Sequence, residues 1–306
     1  MPQSTPRQHV LAVWAALLVT VLWSSSWVLI RFGLDDEALP PITFAGLRYG
    51  LAGAILLSLT LARTSTRDSL RNLRRRDWFV LGGLGVVFYT ITQGAQFVAI
   101  EAQPAATTSL VLSMTPLLVA AASARSLGER PLPRQYFGAT LVAVGALLYF
   151  AGDLGATSLG MAAAIVGLLA NAASALLGRY ANRGHGTPPL VITAVTMSVG
   201  AGLLVGSGLA LDGWPVVSTR AALLIVWLAL VNTAVAFTLW NAALRHLSAV
   251  ESSGINNTML IQIGLLAWVF LDEPLGVAGT IAVLIVSAGI VLTRSPGPVS
   301  GASAAE

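Results

Sequence analysis

The stretch Ala99-Ile100-Glu101-Ala102-Gln103-Pro104-Ala105 has a counterpart 144 residues later, Ala243-Leu244-Arg245-His246-Leu247-Ser248-Ala249. The same offset then sets Glu129 on Glu273 and Gly145 on Gly289, out to Leu147 and Val291. Upstream the offset becomes 148, with Arg31-Phe32 on Arg179-Tyr180 and Pro40-Pro41 on Pro188-Pro189. Each copy contains five apolar segments. After an odd number of crossings a chain enters its second copy from the opposite side of the bilayer. Two similar units inserted upside down relative to each other is an architecture of transporters.

Composition agrees with a bilayer setting. Only 10% of the 306 residues are charged and 56% are apolar, against roughly 25% charged in a soluble domain. All 17 basic residues are Arg, and there is no Cys, which removes disulfides and thiolate metal sites. Apolar windows long enough to cross a hydrocarbon layer of about 30 Å fall at 11–32, 41–62, 78–100, 104–127, 134–151, 158–180, 188–211, 221–244, 249–270 and 276–294. Residues 1–155 are expected to form the first five-helix repeat, and 156–306 the second, inverted one with a short disordered tail. The first nine residues are expected to be disordered as well.

Arginine sets the orientation. With the N-terminus in the cytoplasm, the inner segments hold fourteen Arg, six of them between Arg63 and Arg76, and the outer segments hold only Arg31 and Arg220. Asp35, Asp36, Glu37, Glu101, Asp153, Asp212, Asp272 and Glu273 lie outside. Both termini are therefore expected in the cytoplasm of a bacterial cell, with the chain a multi-pass protein of its inner membrane. Segment 1 is too long, and lacks a convincing cleavage site, for a secretory signal.

Three traits together resemble the drug/metabolite transporter superfamily, in its ten-helix EamA-type branch. They are the double five-helix unit, the segment Pro41-Ile42-Thr43-Phe44-Ala45-Gly46-Leu47-Arg48-Tyr49, and the Gly128-Glu129-Arg130 and Asp272-Glu273-Pro274 endings before Gly-bearing fifth helices. The resemblance covers residues 10 to 294. Within the branch the chain is most similar to YddG-type exporters of aromatic and other neutral amino acids. It implies an all-α integral membrane protein whose ten transmembrane helices, as two inverted five-helix repeats, surround a central cavity. Unlike the small multidrug relatives, segment 1 carries no acidic residue.

Polar groups at membrane depth face the bundle interior. Tyr89, about 16 Å into its helix, shares one face with Gln93 and Gln96, with Thr92 beside them. The repeat sets Thr233, Phe237 and Trp240 opposite, with Asn232 and Asn241 alongside. Matched polar-aromatic faces fit two walls of one cavity; interhelical hydrogen bonding that only holds the bundle together is the rival reading. In Trp23-Ser24-Ser25-Ser26-Trp27 either Trp23 or Trp27 is expected to line the cavity, since tryptophan otherwise favours the interface. Asn171 and Ser174 are the counterpart in segment 6, and Ser113 and Asn257 are matched candidates in segments 4 and 9. Pro116 permits a kink. Arg48, the one basic residue well inside a span, either grips a substrate carboxylate or plays a structural part against helix-end carbonyls or Glu101.

The expected substrate-binding set is thus Trp23, Trp27, Arg48, Tyr89, Gln93, Gln96, Ser113, Asn171, Thr233, Phe237, Trp240 and Asn257. No Asp, Glu or His lies near the middle of a span, so facilitated diffusion through rocking of two halves is expected rather than proton coupling. Intramembrane hydrolysis lacks a base at depth, and His246 with Glu251 has no third metal ligand. Expected partners are a small-molecule substrate and membrane lipid, with no nucleic acid, no cofactor and no metal. A monomer is expected, with a dimer as the alternative.

Overall fold

A computed structural model describes residues 5–103, 105–112, 114–126, 133–150, 156–183, 186–256 and 258–270, with a few positions between 281 and 292. Every regular element among the described residues is helical. Ser113, Asn257, the 128–130 and 272–274 motifs, the 151–155 boundary and most of the tenth span lie outside the described residues.

Among the described residues six helices are long and apolar enough to cross a membrane. They are α1 (Pro6–Asp35), α2 (Pro41–Ala62), α4 (Arg75–Ala102), α8 (Ser158–Arg183), α9 (Pro189–Asp212) and α10 (Thr219–Ala243). The amphipathic helix α3 (Thr64–Arg71) joins α2 to α4. The remaining described helices are α5 (Ala105–Leu112), α6 (Thr115–Ser126), α7 (Pro133–Phe150), α11 (Ala249–Asn256) and α12 (Thr258–Phe270). α5 stops three residues before Thr115-Pro116, where the missing N–H of proline favours a break.

The starts of these helices follow from sequence. Pro41 and Pro189 occupy first-turn positions, where a missing N–H costs nothing. Ser218 caps α10 by accepting from Ala221 N at 3.0 Å. Thr5 and Gln8 form a reciprocal capping box, so α1 begins at Pro6. That corrects the expectation of nine disordered residues: His9 is helical, and its Nε2 lies 3.0 Å from Glu251 Oε1.

Helices α2 and α9, equivalent under the offset of 148, pack against each other antiparallel. Gly46 approaches Val205, while Gly208 approaches Thr43 so closely that a Cβ on Gly208 would lie 2.7 Å from Thr43 Cα. Close backbone approach through small residues is how helices associate where lipid offers no hydrophobic drive. Equivalent helices thus run in opposite directions.

The repeat also returns a local irregularity. α4 is π-helical over Val86–Gln93, and α10 over Leu230–Val235, which begins 144 residues later. In each, a threonine hydroxyl donates to the carbonyl five residues back: Thr92 to Val87 O at 2.8 Å, Thr233 to Leu228 O at 2.7 Å. Such wide turns recur at functional sites.

Polar contacts at the helix ends fall into two groups. Arg220 pairs with Asp36 at 3.3 Å, and Thr43 donates to Asp212 at 3.2 Å. At the other end His9 meets Glu251, Arg76 donates to Tyr180 Oη at 2.8 Å, and the buried Arg179 donates to Leu244 O. The first group contains residues that the arginine distribution sets on one side, and the second those on the other.

Candidate functional site

The bundle encloses a cavity of about 1240 Å³ of atom-free space, mouth included. Its wall draws on α1, α2, α4, α5, α6, α8, α9, α10, α11 and α12. Of the expected set, Trp23, Trp27, Arg48, Tyr89, Gln93, Gln96, Asn171, Phe237 and Trp240 all line it. Trp23 and Trp27 lie one turn apart, so both reach the cavity, where the sequence left the choice open. Thr233 does not line it; this side chain is buried behind the wall, against Arg48.

Aromatic rings form one side of the space. Trp23 lies 4.7 Å from the Phe237 ring and 5.1 Å from Trp240. Phe237 in turn meets Tyr89 at 5.1 Å and Phe88 at 5.4 Å, and Tyr49 meets Tyr89 at 5.6 Å. These tilted and edge-on pairings match the ring quadrupole and hold the surface rigid. Phe88 and Tyr49 were not singled out from sequence. In a regular helix neighbouring positions lie about 100° apart, yet Phe88 and Tyr89 both line the cavity, their rings 5.1 Å apart.

The polar groups divide into those already paired and those left over. Gln93 accepts from Tyr49 Oη at 2.6 Å, and Asn171 donates to Thr115 at 3.2 Å. Asn241 donates to Thr193 and accepts from Asn182, while Asn232 donates to Ser25 at 2.9 Å and to Leu22 O. The two asparagines therefore join helices. A further stitch that sequence did not reveal ties α1 to α12: Ser24 donates to Gln262 at 2.8 Å, and Gln262 to Thr20 at 3.0 Å.

Trp23 Nε1, Ser109 Oγ and Asn256 Oδ1 line the cavity, buried and without a hydrogen-bond partner among the described residues. Tyr89 Oη is likewise without a hydrogen-bond partner among the described residues. Each unmet buried polar atom costs about 1–3 kcal/mol. A cavity whose wall retains several is built for a polar occupant.

Arg48 is the only charged residue on the described wall. Its Nε donates to Thr233 Oγ1 at 2.8 Å, its Nη2 reaches toward Asn232 O at 3.4 Å, and its guanidinium stands 5.0 Å from the Tyr49 ring centre. Glu101, the acid considered as its partner, makes no contact with it. Among the described residues no group of three acids or histidines could hold a metal ion.

A helical membrane bundle around an aromatic and polar cavity is the build of a small-molecule transporter. The chain belongs to the EamA-like transporter family, whose sequence profile matches residues 10–151 and again 158–295. It is accordingly a transporter and not an enzyme. The "Probable terminal-alkyne amino-acid exporter" of Streptantibioticus cattleyicolor is 29% identical over 257 residues, 79% of each chain. The "Probable amino-acid metabolite efflux pump" of Escherichia coli K12 is 28% identical over 242 residues, 75% of this chain and 76% of that one. A solved structure carrying only the words "Crystal structure of protein" matches with a TM-score of 0.75, over 92% of this chain and 96% of its own. At 22% identity that likeness speaks to the fold alone.

Proposed function

We propose that this chain exports aromatic and other neutral amino acids across the bacterial inner membrane, by alternating access at the central cavity. The observation that carries the reading is the cavity wall itself. The tilted, mutually packed rings of Trp23, Phe237, Trp240 and Tyr89 suit an aromatic or apolar side chain, and the unmet polar atoms beside them suit the backbone groups of an amino acid. The names borne by the two relatives support amino-acid export. The described wall contains no carboxylate and no histidine, so the substrate moves down its own gradient rather than against a proton. The protein works as a monomer, with both termini in the cytoplasm.

Reconstitution into liposomes tests this directly. Labelled tryptophan and phenylalanine should exchange across the membrane in preference to hydrophobic cations. Passage of the cations alone would replace the reading with drug export. Accumulation above equilibrium that collapses with an imposed pH gradient would contradict uncoupled transport. A reporter active only in the cytoplasm, fused after Arg294, should be active; silence there would reverse the orientation.

A further inference from the structure

Arg48 is 2% exposed, inside a spanning helix, and lines the cavity. A guanidinium carries five N–H donors. Those engaged here meet neutral acceptors, the Thr233 hydroxyl and the Asn232 carbonyl, and Nη1 has no partner among the described residues. The described acids whose contacts are resolved lie elsewhere: Asp36 and Glu37 with Arg220, Asp212 with Thr43, Glu251 with His9. A cation buried at membrane depth with no anion beside it is expensive. Thr233 holds Nε and so fixes the direction of the planar fork, the geometry that receives a carboxylate through two parallel bonds.

We infer that Arg48 is the carboxylate anchor of the cavity, and that the site requires the carboxylate of its ligand but not the ammonium group. The ligand class is then small aromatic or apolar monocarboxylates, of which neutral amino acids are one kind. This rests on the transport reading above. The two ionic groups of an amino acid are unequal here because the wall is unequal. Losing the carboxylate leaves Arg48 buried and uncompensated. Losing the ammonium leaves only neutral groups unmet, such as Asn256 Oδ1 and the faces of the rings.

The test is binding to the full-length protein in detergent, followed by intrinsic tryptophan fluorescence, to which Trp23, Trp27 and Trp240 of the cavity wall contribute. The ligands are L-phenylalanine, 3-phenylpropionate and phenylalaninamide. The amide should bind about thirtyfold more weakly than phenylalanine, the scale of stripping a buried charge of its partner. The phenylpropionate should stay within about threefold. Equal binding of the amide, or loss of the phenylpropionate, overturns the inference and leaves amino-acid transport standing. Binding of none of the three, with capture of a hydrophobic cationic dye, overturns both. Arg48→Gln should erase the discrimination between acid and amide, and Arg48→Lys should retain part of it. A purely structural arginine would leave that discrimination intact in any variant that folds, and the ligand series on the unmodified protein decides the matter if neither does.

Discussion

Gly200→Ala and Gly202→Ala place the same methyl group two residues apart on α9, and the structure assigns them opposite effects. A Cβ on Gly200 would fall on the Gly85 carbonyl oxygen and lie 2.6 Å from Tyr89 Cβ, whereas one on Gly202 meets nothing within 4 Å. Ordinary contact begins near 3.4 Å, so α9 and α4 must separate by at least about 0.8 Å to admit the methyl. Backbone stands on both sides, so no side chain can turn aside. Overpacking of this kind costs about 1–3 kcal/mol, which lowers the melting temperature by roughly 2–5 °C for a chain of this size. At Gly202 the substitution only removes backbone freedom, worth about 0.5–1 kcal/mol in favour of the helix. Thermal unfolding in one detergent, read side by side, should show Gly200→Ala below the unmodified protein and Gly202→Ala at or above it. Gly200→Ala should also slow amino-acid exchange in liposomes, because the displaced backbone carries Tyr89. Equal melting temperatures for the two variants would refute the argument that α4 and α9 touch through glycine.

Further expectations follow from other parts of the site. Tyr89→Ala and Trp240→Ala should each reduce flux by about tenfold, with expression unchanged, through loss of the ring surface; normal flux in both would put the aromatic wall out of use. Thr233→Val keeps the volume but removes the acceptor of Arg48 Nε, at a cost of about 1.5–3 kcal/mol. Combined with Arg48→Gln, the two changes should be clearly less than additive in unfolding, and simple additivity would deny the contact. His246 lies beyond the end of α10, where burial and the charges of Arg245, Arg179 and His9 hold its pKa below the usual 6.5. Its neutral form is the one the folded protein prefers, so its contribution is present above 6.5 and lost as pH falls through that value toward the folded pKa. His246→Gln should therefore flatten the decline of melting temperature between about pH 7 and pH 5; an unchanged slope would assign that decline to other groups.

Much of the site was legible because depth and helical phase are local properties. Nine of the twelve expected residues line the cavity, since a glutamine or tryptophan at mid-span has few alternatives to an inward face. Thr233 was misplaced for a tertiary reason. Its repeat partner Tyr89 reaches the wall, but on the other side Arg48 of α2 occupies the space and takes Thr233 as its acceptor. Phe88 was missed because it is apolar and offers no polar signal at depth; its place on the wall shows only through its contact with Phe237 of α10. Tyr49 was missed because its role appears only where α2 meets α4, through Gln93.

The sequence by itself determined the class of molecule. Length and hydropathy of the spans, the asymmetry of arginine and the 144-residue repeat follow from bilayer thickness and chain parity, and none of these needs a contact. Tertiary structure alone decided which polar groups are consumed in holding helices together and which remain for a ligand. Asn241 and Gln93 both lie at membrane depth, yet Asn241 donates to Thr193 and accepts from Asn182, and Gln93 accepts from Tyr49, whereas Trp23 Nε1 and Ser109 Oγ have no partner among the described residues. A hydrogen bond between distant residues has no periodicity, so only packing reveals whether a buried polar atom is already spoken for. The same holds for Arg48: its burial could be read along the chain, and the lack of an acid beside it could not.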